Sequence, residues 1–517
     1  MKETRFSKSL MNAKINLIFY FIGLFLSFFS RKIFLDSLSA DFMGLIGTLG
    51  SVLSFLNLAE LGIGQAIGYV LYKPLYDHDR KKINEIISVF GYLYSRIGFL
   101  ILLIGIIISC FFPLIFGKSH FPLAAIYFAF YSFLISSLLS YFLNYRETLL
   151  GADQKNYVVT AYFQTAGFIK TIIQIAVAYY THNYYYWIAI ELVFGFIASF
   201  ILNWKINQVY PWLKSEVKLG KKVFDKYPEV MKYTKQLFVH KIAYFIQSQT
   251  DSILIYAFVS LKYVAFYGNY TVIISKLALL INNILDGTSA GIGNLIAEGN
   301  RKNTIKVYWE LTSIRYFFAG VMAFALYTLV EPFISLWIGK QYILDNTVFL
   351  LIIINTYIGQ TRGANDLFLY GYGLFSDTWA PCVEGIINVG LSIAIGCFYG
   401  LTGILIGTTV SLLLIICIWK PYFLFHNGIK EPLYHYWLKV FKLLAIVTAS
   451  WIASTFIIKG FIHINPYTSF INWTAYALII TLIFGIILFG LQFLFEQGTR
   501  DLYHRITEKV FAKFTHK

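Results

Sequence analysis

Apolar residues run along this chain in stretches of roughly twenty or more, the length that crosses about 30 Å of hydrocarbon as a helix. Fourteen such stretches are read, near 14–35, 43–68, 86–111, 121–144, 157–180, 184–205, 236–259, 264–288, 306–330, 346–372, 379–398, 401–419, 438–458 and 471–494. They are apolar on every face, which excludes the period-two alternation of barrel strands. The pattern predicts an all-α polytopic membrane protein with about 14 transmembrane helices. The longest polar interval divides six of these from eight. Between 205 and 235 it holds Lys205, Lys214, Lys218, Lys221, Lys222, Lys226, Lys232 and Lys235 against Glu216, Asp225 and Glu229.

That division predicts an N-terminal six-helix bundle over 1–204, a basic cytoplasmic linker over 205–235 and a C-terminal six-helix bundle over 236–420. Two additional transmembrane helices follow over 421–495, then an amphipathic cytoplasmic tail over 496–517. In the tail Leu502, Ile506, Val510 and Phe514 share one helical face, with Arg505, Lys509 and Lys513 elsewhere. Such a helix is expected to lie on the anionic inner leaflet.

Charge supplies the orientation. Positives collect in the even-numbered loops: Lys73, Arg80, Lys81 and Lys82, then Arg146 and Lys155, then Arg301, Lys302 and Lys306. The opposite loops carry scattered ones, Lys118, Lys262, Lys340 and Lys459. Both termini are basic, so an even number of spans with both ends in the cytoplasm satisfies the positive-inside bias. The first stretch lacks a small-residue cleavage site and ends in Arg31-Lys32, which makes it a retained helix. No outer loop exceeds roughly fifteen residues by this reading.

Composition agrees. The chain has 517 residues, 58% hydrophobic and 13% charged, too few polar groups to cover a soluble domain. A net charge of +16 raises the question of nucleic acid, but no basic domain stands outside the membrane, and that class is set aside. Cys110, Cys382, Cys397 and Cys417 form no CxxC or Cys/His cluster, so neither a disulfide framework nor a metal site is indicated. Gly62-Ile63-Gly64 follows no strand and is not a dinucleotide loop. Nothing resembles a catalytic triad, a Walker loop or a carboxylate-metal motif, so the chain reads as a non-enzyme with no cofactor.

A faint internal repeat is legible. Gly62-Ile63-Gly64-Gln65-Ala66-Ile67 closes the second span, and Gly291-Ile292-Gly293-Asn294-Leu295-Ile296 closes the eighth. A short basic stretch follows each, and the next helix carries one arginine about three turns in, Arg96 and Arg315. An offset of six spans keeps both halves pointing the same way, the parallel repeat of rocker-type transporters.

Ionisable groups deep in a span cost several kcal/mol unless they face protein or water, so each is a functional candidate. The cations are Arg31, Arg96, Lys170, Lys276, Arg315 and Arg362; the acids are Glu60, Glu191, Asp251, Asp366 and Glu384. Their number predicts a wet, cationic cavity and an anionic cargo, because guanidinium binds phosphate through paired hydrogen bonds. Arg96 and Arg315, with no acid within a turn on their own helices, are the leading substrate contacts. Arg362 and Asp366 stand at i, i+4 and fit either a local bridge or the cavity. Asp251 is a carboxylate able to carry a proton or sodium ion, or to pair with Arg31.

Several stretches resemble the Wzx-type oligosaccharide flippases, the polysaccharide-transport branch of the MATE-containing multidrug/oligosaccharidyl-lipid/polysaccharide (MOP) exporter superfamily. They are Arg31-Lys32-Ile33-Phe34-Leu35 with Leu38 and Gly44, Leu58-Ala59-Glu60-Leu61-Gly62-Ile63-Gly64-Gln65-Ala66-Ile67, and Leu71-Tyr72-Lys73-Pro74-Leu75. Later echoes are Asp251, Tyr267-Gly268, Pro332-Phe333-Ile334 and Trp337-Ile338-Gly339. The likeness covers the whole chain by topology, and its specific residues concentrate in the first 110. It implies two six-helix bundles in a V whose central cavity opens to either side in turn. The implied cargo is an oligosaccharide repeat unit on an undecaprenyl or other polyprenyl pyrophosphate, moved from the inner to the outer leaflet of the bacterial cytoplasmic membrane for capsule or O-antigen. Polymerase and chain-length proteins would be its pathway partners. The last two spans resemble the extra pair that shapes a lipid-tail groove in lipid II flippases. A MATE-type multidrug exporter, whose usually cationic cargoes favour cavity acids, and a lipid II flippase are the alternatives. A membrane polymerase or ligase would need a long outer loop, and a purely structural scaffold would not need the intramembrane charges.

Overall fold

The computed structural model describes residues 5–57, 63–117, 119–153, 155–228, 230, 250–285, 292, 295–296, 298–374 and 376–515. Among them the chain is helical, with no strand. The long elements are α1 (Arg5–Leu38), α2 (Ala40–Leu56), α3 (Ile63–Tyr76), α4 (Arg80–Cys110), α5 (Leu123–Phe142), α6 (Thr165–Thr181), α7 (Tyr184–Val209), α8 (Val217–Val223), α9 (Leu261–Leu285), α10 (Arg301–Trp337), α11 (Asn346–Thr361), α12 (Gly363–Gly371), α13 (Trp379–Ser411), α14 (Leu433–Phe461), α15 (Phe470–Phe495) and α16 (Gln497–Thr515). Nine of the described helical stretches are long and apolar enough to cross a membrane, and Ala40–Leu56 is a shorter apolar helix. The expected second span resolves into α2 and α3, the tenth into α11 and α12. Gly400, at φ 55°, kinks α13 at the boundary expected between the eleventh and twelfth. The seventh expected span lies mostly outside the described residues. This is an all-α polytopic membrane protein. Its outward side chains are those of a lipid-facing surface, with Phe25, Leu114, Phe398, Phe461 and Ile471 each at least three-quarters exposed.

The chain divides into two compact units, Met1–Ala265 and Phe266–Lys517. In the first, an aromatic core gathers α1, α2 and α7: Trp187 meets Phe34 at 5.7 Å and Phe42 at 5.6 Å, both edge-to-face. That geometry suits the ring quadrupoles. Gly44 is required by packing. A Cβ built there would fall 1.8 Å from the carbonyl oxygen of Leu261, so α2 crosses the start of α9 backbone to backbone. One turn on, the Arg31 Nη2 group donates to the carbonyl of Ala265 at 3.0 Å.

In the second unit α10 is the axis. Phe324 stacks on Phe484 of α15 at 4.3 Å with planes 6° apart. Nearer its start, Tyr308, Trp309, Phe368, Phe425 and Tyr436 form a buried aromatic cluster. The tail helix α16 lays Gly498, Asp501 and Arg505 on α10: a Cβ at Gly498 would meet the Trp309 carbonyl at 2.5 Å. Arg505 pairs with buried Glu310 at 2.7 Å, and Lys306 with Asp501 at 3.7 Å. Ile506 stays half exposed on another face.

The two basic stretches before α4 and α10 fold alike. His78 and Gly299 both take positive φ, 55° and 72°. Asp79 and Asn300 follow as N-caps with ψ 84°, and their side chains accept from the Lys82 and Asn303 amides at 3.0 and 3.1 Å. Each cap satisfies an amide that the first helical turn leaves orphaned.

Gly44→Val should destabilise the protein by about 3 kcal/mol through overpacking against backbone. A thermal midpoint in detergent equal to wild type would refute that account of the α2–α9 crossing.

Candidate functional site

The second unit assembles the denser group of charges. Arg315 of α10 is 4% exposed, and its Nη1 donates to Asn282 Oδ1 of α9 at 3.0 Å. Gly363 opens α12, and a Cβ there would fall 2.4 Å from the Arg315 Cζ. The guanidinium therefore occupies space that any other residue at 363 would fill. One position earlier, Arg362 interrupts the α11–α12 helix, and its Nε donates to Asp366 Oδ2 at 2.8 Å. Glu384 of α13, 6% exposed, lies within electrostatic reach of Arg362. Arg362 and its two carboxylates thus lie at the junction of α11 and α12, next to the glycine that Arg315 packs against. Lys276, also on α9, is half-buried.

In the first unit Lys170 of α6 pairs with Glu191 of α7 at 2.5 Å. Gln174 completes the group, its Nε2 donating to Glu191 Oε2 at 3.0 Å and to the Trp187 carbonyl at 3.2 Å. The lysine charge is matched locally by the carboxylate. Arg96 is exposed, its guanidinium 5.5 Å over the Tyr92 ring one turn back on α4. Arg31 is half-buried and spends a donor on the Ala265 carbonyl. Asp251 is buried in the helical residues 250–258. Glu60 lies outside the described residues, as does most of the Gly-x-Gly repeat around it and around residue 292.

Arg96 and Arg315 are not equivalent positions. Their helices begin with the same capped turn, but Arg96 stands sixteen residues after Arg80 and Arg315 fourteen after Arg301. A two-residue difference turns a side chain by about 200° around a helix. Tyr94, 5% exposed, is the α4 counterpart of Arg315. One arginine consequently faces the packed interior of its unit and the other does not. Asn282, Gly363 and Gln174 were not among the sequence candidates. Asn282 carried a signal, a polar side chain within an apolar helix; Gly363 carried none, since its role depends on what crosses it. Among the described residues no group of three His, Cys, Asp or Glu side chains could hold a metal ion.

No protein-family model matches the chain, and no curated protein matches it by sequence. Solved structures do. A lipid II flippase, MurJ, in an inward closed conformation superposes with TM-score 0.65 over 92% of this chain and 98% of its own, at 14% identity. The chain shares the fold of that structure. A multidrug resistance MATE family transporter of the MOP superfamily matches in its inward-facing conformation with TM-score 0.59, over 80% of this chain and 95% of its own, at 11% identity. The outward-facing conformation of a MATE transporter gives 0.51 over 82% of this chain and 97% of its own, at 13% identity. Identities this low carry the architecture alone.

Two outcomes follow from the geometry. Lys170→Met alone should cost about 3–5 kcal/mol, because it strands the Glu191 carboxylate, whereas Lys170→Met with Glu191→Leu should cost much less. Equal losses in thermal unfolding would show that the pair is not what holds α6 to α7. Gly363→Ala should leave expression and folding near wild type, since only the tip of Arg315 must give way. It should nonetheless reproduce the functional defect of Arg315→Ala; full function with alanine at 363 would remove the glycine from the site.

Proposed function

We propose that the chain is a flippase for a polyprenyl-pyrophosphate-linked oligosaccharide, working by alternating access in a bacterial cytoplasmic membrane with both ends in the cytoplasm. The observation that carries this reading is Arg315, a guanidinium held deep in a membrane helix by Asn282 and Gly363. A structural scaffold has no use for such a group, whereas a charged headgroup crossing hydrocarbon faces a prohibitive barrier without one. Likeness to a lipid II flippase over nearly the whole chain supports a lipid-linked cargo. The organisation of the cargo path is part of the proposal: two six-helix bundles over 1–204 and 236–420, a linker between them, and the extra pair over 421–495 beside the lipid tail. Arg31, Arg96, Lys276, Arg315 and Arg362 are the cavity cations. Lys170 contributes through its pair with Glu191, and Glu60, Asp251 and Asp366 are the acids available for ion coupling. Polymerase and chain-length proteins would take the product onward to capsule or O-antigen.

Export of a multidrug type is the second reading, supported by the MATE likeness. Arg315, a buried guanidinium held by the neutral Asn282 amide, favours the anionic cargo. Deleting the gene in its host and extracting the polyprenyl-linked intermediates separates the two. Complete repeat units held on the inner leaflet, with surface glycan lost, are the expected result. Intact glycan with altered sensitivity to cationic drugs would overturn the flippase in favour of the exporter.

Within the flippase, Arg96→Ala and Arg315→Ala should each lower export by roughly tenfold to a hundredfold, the worth of a charged hydrogen bond. Lysine at either position should keep part of it. Normal export by both alanine variants at normal expression would refute the assignment. Asp251→Asn should abolish any dependence of export on pH or sodium, and a dependence that survives the change would move coupling elsewhere.

A further inference from the structure

The basic linker is a built surface. Its helix α8 docks on the first turns of α4, and Gly220 makes the contact backbone to backbone. A Cβ there would fall 1.9 Å from the Ser88 carbonyl oxygen. Four polar or aromatic ties flank it. The Lys214 amide donates to Asn84 Oδ1 at 2.6 Å, and the Glu216 amide to Ser88 Oγ at 3.0 Å. The Tyr227 hydroxyl donates to Glu85 Oε2 at 2.9 Å, and Phe224 meets Tyr92 edge-on at 5.9 Å. Leu213, Gly220, Val223, Tyr227 and Val230 are buried by this docking.

The opposite face holds Lys214, Lys218, Lys221, Lys222 and Lys226, all exposed. Arg80, Lys81 and Lys82 extend it from the start of α4, with Arg80 resting over the Trp212 ring at 5.4 Å. None of the five lysines joins an ion pair among the described residues. A loop that served only to stay in the cytoplasm would need lysines but no fixed geometry. Here the chain orders them at an entropic cost, and the exposed acids Glu216 and Asp225 are too few to offset five lysines, so the remaining balancing charge comes from outside the protein.

Depth identifies the source. Helix α4 has 31 residues, roughly 46 Å of helix against about 30 Å of hydrocarbon, so its first turns project beyond the apolar slab. α8 clamps on that projecting part, and it begins eight residues after the candidate span Tyr184–Val209 ends. That is the level of lipid headgroups. We infer that α8 and the start of α4 form a rigid lysine platform that binds the headgroups of anionic phospholipids in the leaflet it faces. The platform is independent of the cargo assignment.

The test uses the full chain in mixed micelles holding equal phosphatidylglycerol and phosphatidylcholine, with bound lipid counted by native mass spectrometry. Wild type should retain phosphatidylglycerol preferentially, and added salt should weaken the preference. The variant K214Q/K218Q/K221Q/K222Q/K226Q, whose exposed changes leave folding intact, should reduce it about tenfold. Gly220→Leu keeps every lysine but undocks the helix and should also reduce it. An unchanged preference in the five-lysine variant overturns the proposal. Full retention by Gly220→Leu alone would overturn the fixed array, leaving net charge sufficient.

Discussion

A guanidinium placed at membrane depth has to be surrounded by partners, because an ion left in hydrocarbon costs more than most single contacts return. Arg315 meets this demand with an amide oxygen from α9 and the bare backbone of Gly363 at the start of α12. The second unit is arranged accordingly. Its axial helix α10 carries the arginine, the interrupted α11–α12 pair brings Arg362 and Asp366 beside it, and α13 adds Glu384. Apolar packing then wraps the outside of this polar layer, from the Phe324–Phe484 stack to the aromatic cluster around Tyr308. The apolar contacts supply the bulk of the stability and the charges dictate which helix lies next to which.

As built, that group is close to neutral: two arginines against two carboxylates. Asp366 takes the Nε donor of Arg362, and Arg315 keeps its Asn282 contact. Lys170 in the first unit is likewise matched, by Glu191 and the Gln174 amide. The number of cations along the sequence therefore overstates the positive potential within the spans. Arg96, by contrast, is exposed and rests over the Tyr92 ring.

Helix positions were legible in the sequence because lipid imposes a length and an all-round apolar character that few other environments demand. The interruptions were less so. The break at Arg362 falls in the short polar run Gln360-Thr361-Arg362-Gly363-Ala364-Asn365-Asp366, which the apolar residues on either side span, whereas the residues around the kink at Gly400 stay mostly apolar. The Arg362–Asp366 contact was legible from its i, i+4 spacing; the Lys170–Glu191 contact joins two helices, and nothing in either helix alone announces it. Basic stretches before α4 and α10 were matched by composition, and the capped turns at Asp79 and Asn300 match in dihedral angles too. The arginines beyond them differ by two residues in register, enough to reverse a helical face. Spacing on a helix has to be counted to the residue before two side chains are given one role.

The linker teaches the converse. Lysine-rich and polar, it reads as a tether, and most of its residues are what a tether would use. Gly220 alone changes its character, since a residue without a side chain lets α8 approach α4 to backbone distance and turns the lysines into one face. That placement also joins two features on one helix: α4 carries the exposed Arg96 near its middle and anchors the lysine face at its start. A helix held at headgroup level by one end has its depth in the membrane set there, and the height of the arginine with it. On the proposed function, the linker's charge would act through position, by fixing where along the membrane normal the first unit offers its guanidinium.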